Sequence, residues 1–303
     1  MNLINTLQTK QAPQNMFAAI WKSLFPVEKL SIVYAILTAI FIIVFGAKEN
    51  HAPLMILYRI LFVALILSLR FLYKHRATTA VRFARSVLPL AFIAYWYPET
   101  YFMNENIFGN LDKYFVSAEQ YLFGCQPSLE FSKYYPQTWI NELMNFGYIA
   151  YYFIIMAAVF IALAKSKKCM EHAVFIILCS FFIYYITFII LPVTGPQFYF
   201  EAPDNTISNE GFFRNTLVEL QAIGEKPTGA FPSSHVGICL VCMYFIFKYS
   251  HKIFYMLLPV AFILICSTVY LKAHYLIDVI GGFAAAPVYF LISKKIQKLK
   301  FLN

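Results

Sequence analysis

Two histidines stand where polar segments meet long apolar runs. His235 ends the segment Gly229-Ala230-Phe231-Pro232-Ser233-Ser234-His235, just before one such run. His274 lies in Ser267-Thr268-Val269-Tyr270-Leu271-Lys272-Ala273-His274-Tyr275-Leu276-Ile277-Asp278, between two others. An imidazole or a charge beside hydrocarbon is costly, so both segments are functional suspects. His274 and Asp278 are spaced i, i+4, which puts them on one face of a helix. A carboxylate so placed accepts a hydrogen bond from one ring nitrogen and leaves the other as nucleophile or base. A satisfied helix-end histidine has the same spacing. Pro232, Ser233 and Ser234 are helix-start residues, and the free N–H groups of such a start favour an anion such as phosphate. His235 among them could protonate a leaving oxygen, although a plain capped helix start reads alike. Taken together, the two segments suit in-line phosphoryl transfer through a phosphohistidine. One histidine attacks phosphorus, the other serves the leaving group, and cations hold the oxygens. A metal site wants more convergent carboxylates than this pattern offers, so neither metal nor cofactor is expected.

The elements that position these residues must cross a membrane. Of 303 residues, 60% are hydrophobic and only 13% charged, against about 45–50% and about 25% in soluble domains. A soluble chain of this size could not hide that much apolar surface. The composition excludes a secreted disulfide scaffold and a disordered chain, and it argues against nucleic acid as a partner. A bilayer core of about 30 Å needs roughly 20 apolar residues per helix. Eight runs qualify: 30–47, 53–73, 83–97, 146–164, 173–192, 235–249, 253–271 and 274–293. The third is short and carries Pro89, and Tyr95, Trp96 and Tyr97 at its end suit an interfacial aromatic belt. The expected fold is all-α and polytopic, with about eight transmembrane helices. No cleavable signal is expected in residues 1–29, and the weakly amphipathic stretch 15–25 is expected on the membrane surface.

Charge orients the set. With the N-terminus in the cytoplasm, 17 of the 24 basic residues, Lys10 and Lys300 included, face inward. The positive-inside rule selects that arrangement, with both termini cytoplasmic. Both histidine segments then reach the same non-cytoplasmic surface, as do segments 98–145 and 193–234, which are too long to be mere connectors. They contain amphipathic pieces such as 212–223 and are expected to lie on the outer surface. The six cysteines form no disulfide framework, and the Cys239/Cys242 pair is expected to pack within an apolar helix.

Phe231-Pro232-Ser233-Ser234-His235 resembles the second signature of the type-2 phosphatidic acid phosphatase superfamily, Pro-Ser-Gly-His. The segment from Ser267 to Asp278 resembles its third, Ser-Arg-x5-His-x3-Asp. The resemblance spans about residues 80–295 and implies a six-helix catalytic core there. Residues 1–79 would be an N-terminal tail with two additional helices, and 296–303 a basic cytoplasmic tail. The family implies His274 as nucleophile, Asp278 as its orienting partner and His235 as general acid, with Ser233, Ser234 and nearby backbone on the phosphate. Ser234 replaces the usual Gly, and Thr268 replaces the Arg of the third signature. The first signature, Lys-x6-Arg-Pro, is absent. In its place stands Leu191-Pro192-Val193-Thr194-Gly195-Pro196-Gln197-Phe198, which resembles the inositol phosphorylceramide synthase branch, as does Leu122-Phe123-Gly124-Cys125-Gln126-Pro127. Lys226, Lys272 and Arg214 are the outer cations available to hold phosphate.

The expected function is a membrane lipid-phosphate phosphatase, metal-independent, with a lipid phosphate or phospholipid as substrate. A bacterial inner membrane, with the site facing periplasm or exterior, is the expected location. A phosphotransferase that passes a phospho-headgroup to a lipid alcohol is the alternative, and a transporter or scaffold without catalysis a third reading. Lipid identity and oligomeric state stay open. Arg59, inside the second run, is expected to snorkel or to pair with a neighbouring helix. His51 has no partner in sequence; His75, His172 and His251 are expected to be solvated. The acidic residues of 98–145 are expected to form a solvated face.

Overall fold

The structure, a computed structural model, describes residues 16–200, 210–300 and 302. Lys10, the first residue of the 15–25 stretch and positions 201–209 of the second long segment lie outside the described residues. Within them every regular element is helical. In chain order these are α1 (Met16–Lys22), α2 (Pro26–Phe45), α3 (Ala52–His75), α4 (Thr79–Ala91), α5 (Ile93–Met103), α6 (Asp112–Phe123) and α7 (Pro127–Tyr134). They are followed by α8 (Thr138–Lys165), α9 (Lys167–Ile190), α10 (Pro196–Tyr199), α11 (Phe212–Gly224), α12 (Ser234–Tyr249), α13 (His251–Tyr270) and α14 (Leu276–Gln297).

Six of these, α2, α3, α8, α9, α13 and α14, are long and apolar enough to cross a membrane, and α12 is a shorter apolar helix. The chain is an integral membrane protein. The third apolar run is not one helix. It divides into α4 and α5 at Phe92 and continues past Tyr97 to Met103. Pro89 and Pro98 each lack a backbone donor, which weakens the ladder on both sides of the break.

The most enclosed of the six spans is α9, packed against α8, α14, α5, α12, α2 and α4. Its side chains from Ala173 to Phe188 fill the centre of the main apolar cluster. Around it, α12 is held between α8, α13 and α14. One close crossing is at Gly282 of α14, where a Cβ would stand 2.7 Å from the Ser233 carbonyl oxygen. Only a glycine lets α14 approach the start of α12 this closely. The outward faces of α2, α3, α8 and α13 carry exposed Ile, Leu and Phe side chains, a surface suited to lipid.

Buried charges are paired, as burial requires. Arg59 makes a two-point ion pair with Glu99, at 3.0 and 2.8 Å, and also reaches Thr38 and the Met55 carbonyl. It joins α2, α3 and α5, the pairing expected of it. Arg85 binds Glu28 in the same way. Other expectations are corrected. Glu99, Asp112 and Glu119 of segment 98–145 are fully buried rather than solvated, because each meets donors from distant segments. His172 is half-buried and its Nδ1 lies 2.7 Å from Gln297 Oε1. His51 stacks on Phe102. All six cysteines are free, and Cys239 and Cys242 are buried in packing.

Candidate active site

Helix α12 starts as its sequence prescribes. Ser233 is the N-cap and its Oγ accepts from Val236 N at 3.4 Å. Ser234 is the first helical residue, and His235 follows, half-buried. His274 was expected inside a helix, but α14 begins two residues later. His274 sits in the tight turn that connects α13 to α14. Lys272 gives that turn its direction, with a left-handed φ of 63° that few side chains adopt. Tyr275 then caps α14, and Asp278 Oδ2 accepts the Tyr275 N–H at 2.8 Å. The same oxygen is 3.5 Å from His274 Nδ1. The i, i+4 spacing therefore brings carboxylate and imidazole together across a cap rather than along a helix face.

The closest partner of His274 Nδ1 is a backbone group, the Ala230 carbonyl at 2.8 Å. A carbonyl only accepts, so Nδ1 carries the proton and Nε2 keeps its lone pair in the neutral ring. That Nε2 lies 3.2 Å from His235 Nδ1. With His274 neutral, His235 must donate. The nucleophilic lone pair is thus covered by the proton of the second histidine. His235 is flanked by Tyr148 and Tyr151 of α8, with ring centroids 4.6 and 4.5 Å away.

The sequence matches the PAP2 superfamily over residues 115–292, more than half of the chain. The chain belongs to the PAP2 superfamily. No curated protein and no solved structure matches it. The matched stretch runs from α6 to α14 and contains both histidine segments.

The expected cations of this PAP2 chain are placed unequally. Lys272 is buried two residues before His274, and its carbonyl accepts from Gln197 N. Arg214 is half-buried on α11, whose first turn is held by Glu142 accepting from the Phe213 and Arg214 amides. Burial lowers the Arg214 pKa. Between α11 and α12, burial pushes the Glu225 carboxyl up, while a Gln197 hydrogen bond, His274 and Arg214 draw it back. Arg214 and His274 therefore share one electrostatic neighbourhood. Lys226 is exposed, with its ammonium over the Tyr101 and Phe102 rings rather than in contact with either histidine. Among the described residues no group of three or more His, Cys, Asp or Glu side chains is arranged to hold a metal ion.

The Pro- and Gly-containing turn at 192–196 touches both histidine segments. Val193 O accepts from Ala230 N, and Gly195, at φ 92°, lies so close to the 273 carbonyl that a Cβ would stand 2.7 Å from that oxygen. Several functional neighbours escaped the sequence reading: Tyr148, Tyr151, the Ala230 carbonyl, Tyr275, Asp112, Glu119 and the Gln197–Glu225 pair. Tyr148 and Tyr151 are spaced i, i+3 on α8, the one usable signal, but the chain has 22 tyrosines and nothing marks these two. Of the others, the Ala230 carbonyl meets His274 through tertiary contact, and Asp112, Glu119 and Gln197 meet the segments around its turn rather than either imidazole.

Proposed function

We propose that this PAP2 protein is a lipid-phosphate phosphatase that works through phospho-His274. The single observation that carries the reading is the histidine contact: Nε2 of His274 faces Nδ1 of His235 at 3.2 Å while Ala230 holds the opposite nitrogen. In the first half-reaction the Nε2 lone pair forms the N–P bond and the bond from phosphorus to the lipid oxygen breaks. The Nδ1 proton of His235 passes to that oxygen. In the second, water attacks phosphorus, its proton goes to His235, and the N–P bond breaks to release phosphate. The Asp278 carboxylate offsets the positive charge that His274 gains.

An in-line arrangement needs roughly 3 Å from nucleophile to phosphorus and roughly another 3 Å from leaving oxygen to acid. Two nitrogens 3.2 Å apart leave no room for it, so the substrate parts the pair. His274 is anchored by Ala230 and Asp278, whereas His235 rests between two tyrosine rings, so His235 is the ring that swings. Lys272, Arg214, Ser233, Ser234 and the amides at the start of α12 stabilise the phosphoryl oxygens. Activity should therefore survive EDTA; complete loss, restored by Mg²⁺ or Zn²⁺, would show the chemistry misread. The distribution of Lys and Arg supports a site on the non-cytoplasmic face.

A phosphotransferase of the inositol phosphorylceramide synthase type is the second reading. The docking of the Pro- and Gly-containing turn at 192–196 on both histidine segments favours it, since that turn carries the resemblance. The two readings differ only in the acceptor. Purified protein is incubated with labelled phosphatidic acid, undecaprenyl diphosphate or phosphatidylinositol, with and without ceramide. Free phosphate identifies a phosphatase and a new phosphosphingolipid a transferase. Neither product from the wild type, with the protein's function undiminished in His274→Ala, would reject both and leave a transporter or scaffold.

A further inference from the structure

Helix α6 presents Asp112, Phe115 and Glu119 at i, i+3 and i+7, which is one face. That face lies against the turn that carries His274. Asp112 has no exposed surface and accepts five hydrogen bonds. Oδ2 takes the Asn110 side-chain amide at 2.8 Å, the Thr194 amide at 2.8 Å and the Thr194 hydroxyl at 3.0 Å. Oδ1 takes the Gly195 amide and the Tyr275 hydroxyl, both at 2.9 Å. Phe115 stacks on the Tyr275 ring and packs at a tilt against Phe231. Glu119, also fully buried, accepts the Ile277 N–H at 3.1 Å in the first turn of α14.

These contacts bracket His274 from both sides. Upstream, Asp112 fixes Gly195, which abuts the 273 carbonyl. Downstream, Asp112 fixes Tyr275 through its ring hydroxyl, and Glu119 fixes residue 277. Neither carboxylate contacts an imidazole directly. We infer that Asp112 and Glu119 are positioning residues for His274: they clamp the 272–278 turn so that Nε2 is aimed at the phosphate site. A buried carboxylate with five donors is costly to assemble, and its donors come from exactly the segments whose register sets the attack direction.

The inference rests on the phosphohistidine reading, and the test separates the two. The full chain in detergent micelles is compared as wild type, Asp112→Asn, Tyr275→Phe, the double variant and His274→Ala. The first readout is phosphoenzyme formation from short-chain phosphatidic acid. The second is the rate at which diethyl pyrocarbonate modifies His274, followed by peptide mass, which needs no turnover. Each single variant should form phosphoenzyme about 10–100-fold more slowly, as when a group that orients a reacting residue is lost. KM should stay within about twofold of wild type, because binding is left intact. The double variant should be no slower than the slower single one, since both cut the same link. His274 modification should change in both single variants. Should Asp112→Asn fail to fold, Tyr275→Phe, which loses only a hydroxyl, carries the comparison. Variants equal to wild type in both readouts overturn the inference while leaving the reaction standing. A wild type without phosphoenzyme, or one formed equally well by His274→Ala, sinks the reaction instead, and the modification rates still decide whether α6 positions His274.

Discussion

The two histidines differ in how firmly they are held, and the proposed division of their work rests on that difference. His274 has a carbonyl at 2.8 Å and a carboxylate at 3.5 Å on the same nitrogen, so its other nitrogen is presented in one direction. His235 has aromatic neighbours and the His274 contact. His274→Ala should abolish turnover and phosphoenzyme for every substrate. His235→Ala should be strongly impaired on a lipid alkoxide yet partly rescued on p-nitrophenyl phosphate, whose leaving group needs little protonation. Asp278→Asn should cost about 10²-fold, the lower end for a positioned acid–base partner, because the Ala230 carbonyl still holds the ring. Steady-state rates on both substrates check all three, and the reverse pattern between the histidines would exchange their roles. The histidine pair, which the fold brings into contact, was legible in the sequence because its signals are local: a cap, a helix start, an i, i+4 carboxylate. The Ala230 carbonyl was not, since any residue supplies one. Asp112 was hidden among acidic residues that resemble a solvated face, and only the fold brings Thr194, Gly195 and Tyr275 to it.

At the scale of elements, the junction of α6 with α14 titrates. Burial is the main cause that pushes the Glu119 carboxyl up to about 7, and the Asp278 charge adds to it; the amides of Ile277 and Leu276 oppose the shift. Its ordinary value is 4.5, so the folded state binds this proton more tightly than the unfolded chain. Stability from this group is therefore fully present below 4.5 and is lost as pH rises through about 7. Thermal unfolding in detergent should show a melting temperature that falls across this window, and Glu119→Gln, which cannot ionise, should flatten the fall. An unchanged slope in that variant would mean that Glu119 is already ionised in the folded protein. Hydropathy located the apolar elements well, because a membrane span must be long and continuous. It misplaced the ends that matter most. The start of α14 moved from His274 to Leu276 because the Asp278 carboxylate caps Tyr275, and α4 and α5 separated around two prolines.

For the whole molecule, composition alone made the chain a membrane protein, but not which helix lies at the centre. Every span is apolar, so enclosure of α9 depends on which faces meet, and small residues such as Gly282 decide that only once partners are known. Orientation rests on charge. Most Lys and Arg residues fall at the helix ends opposite those that carry the histidines, and the proposed topology puts those ends in the cytoplasm. The cysteines allow a direct check. All six are free; Cys179, Cys239 and Cys242 are buried, and Cys266 lies within α13. That leaves Cys125, between α6 and α7, and Cys169, in the first turn of α9, both partly exposed and at opposite ends of the bundle by the proposed topology. A membrane-impermeant maleimide applied to intact cells should label Cys125 and spare Cys169, and permeabilising the cells should expose Cys169 as well. A Cys125→Ser variant should lose the first signal and keep the second. Labelling of Cys169 in intact cells, with Cys125 protected until permeabilisation, would invert the molecule. Both histidines would then face the cytoplasm, and the lipid phosphate would have to be drawn from the inner leaflet.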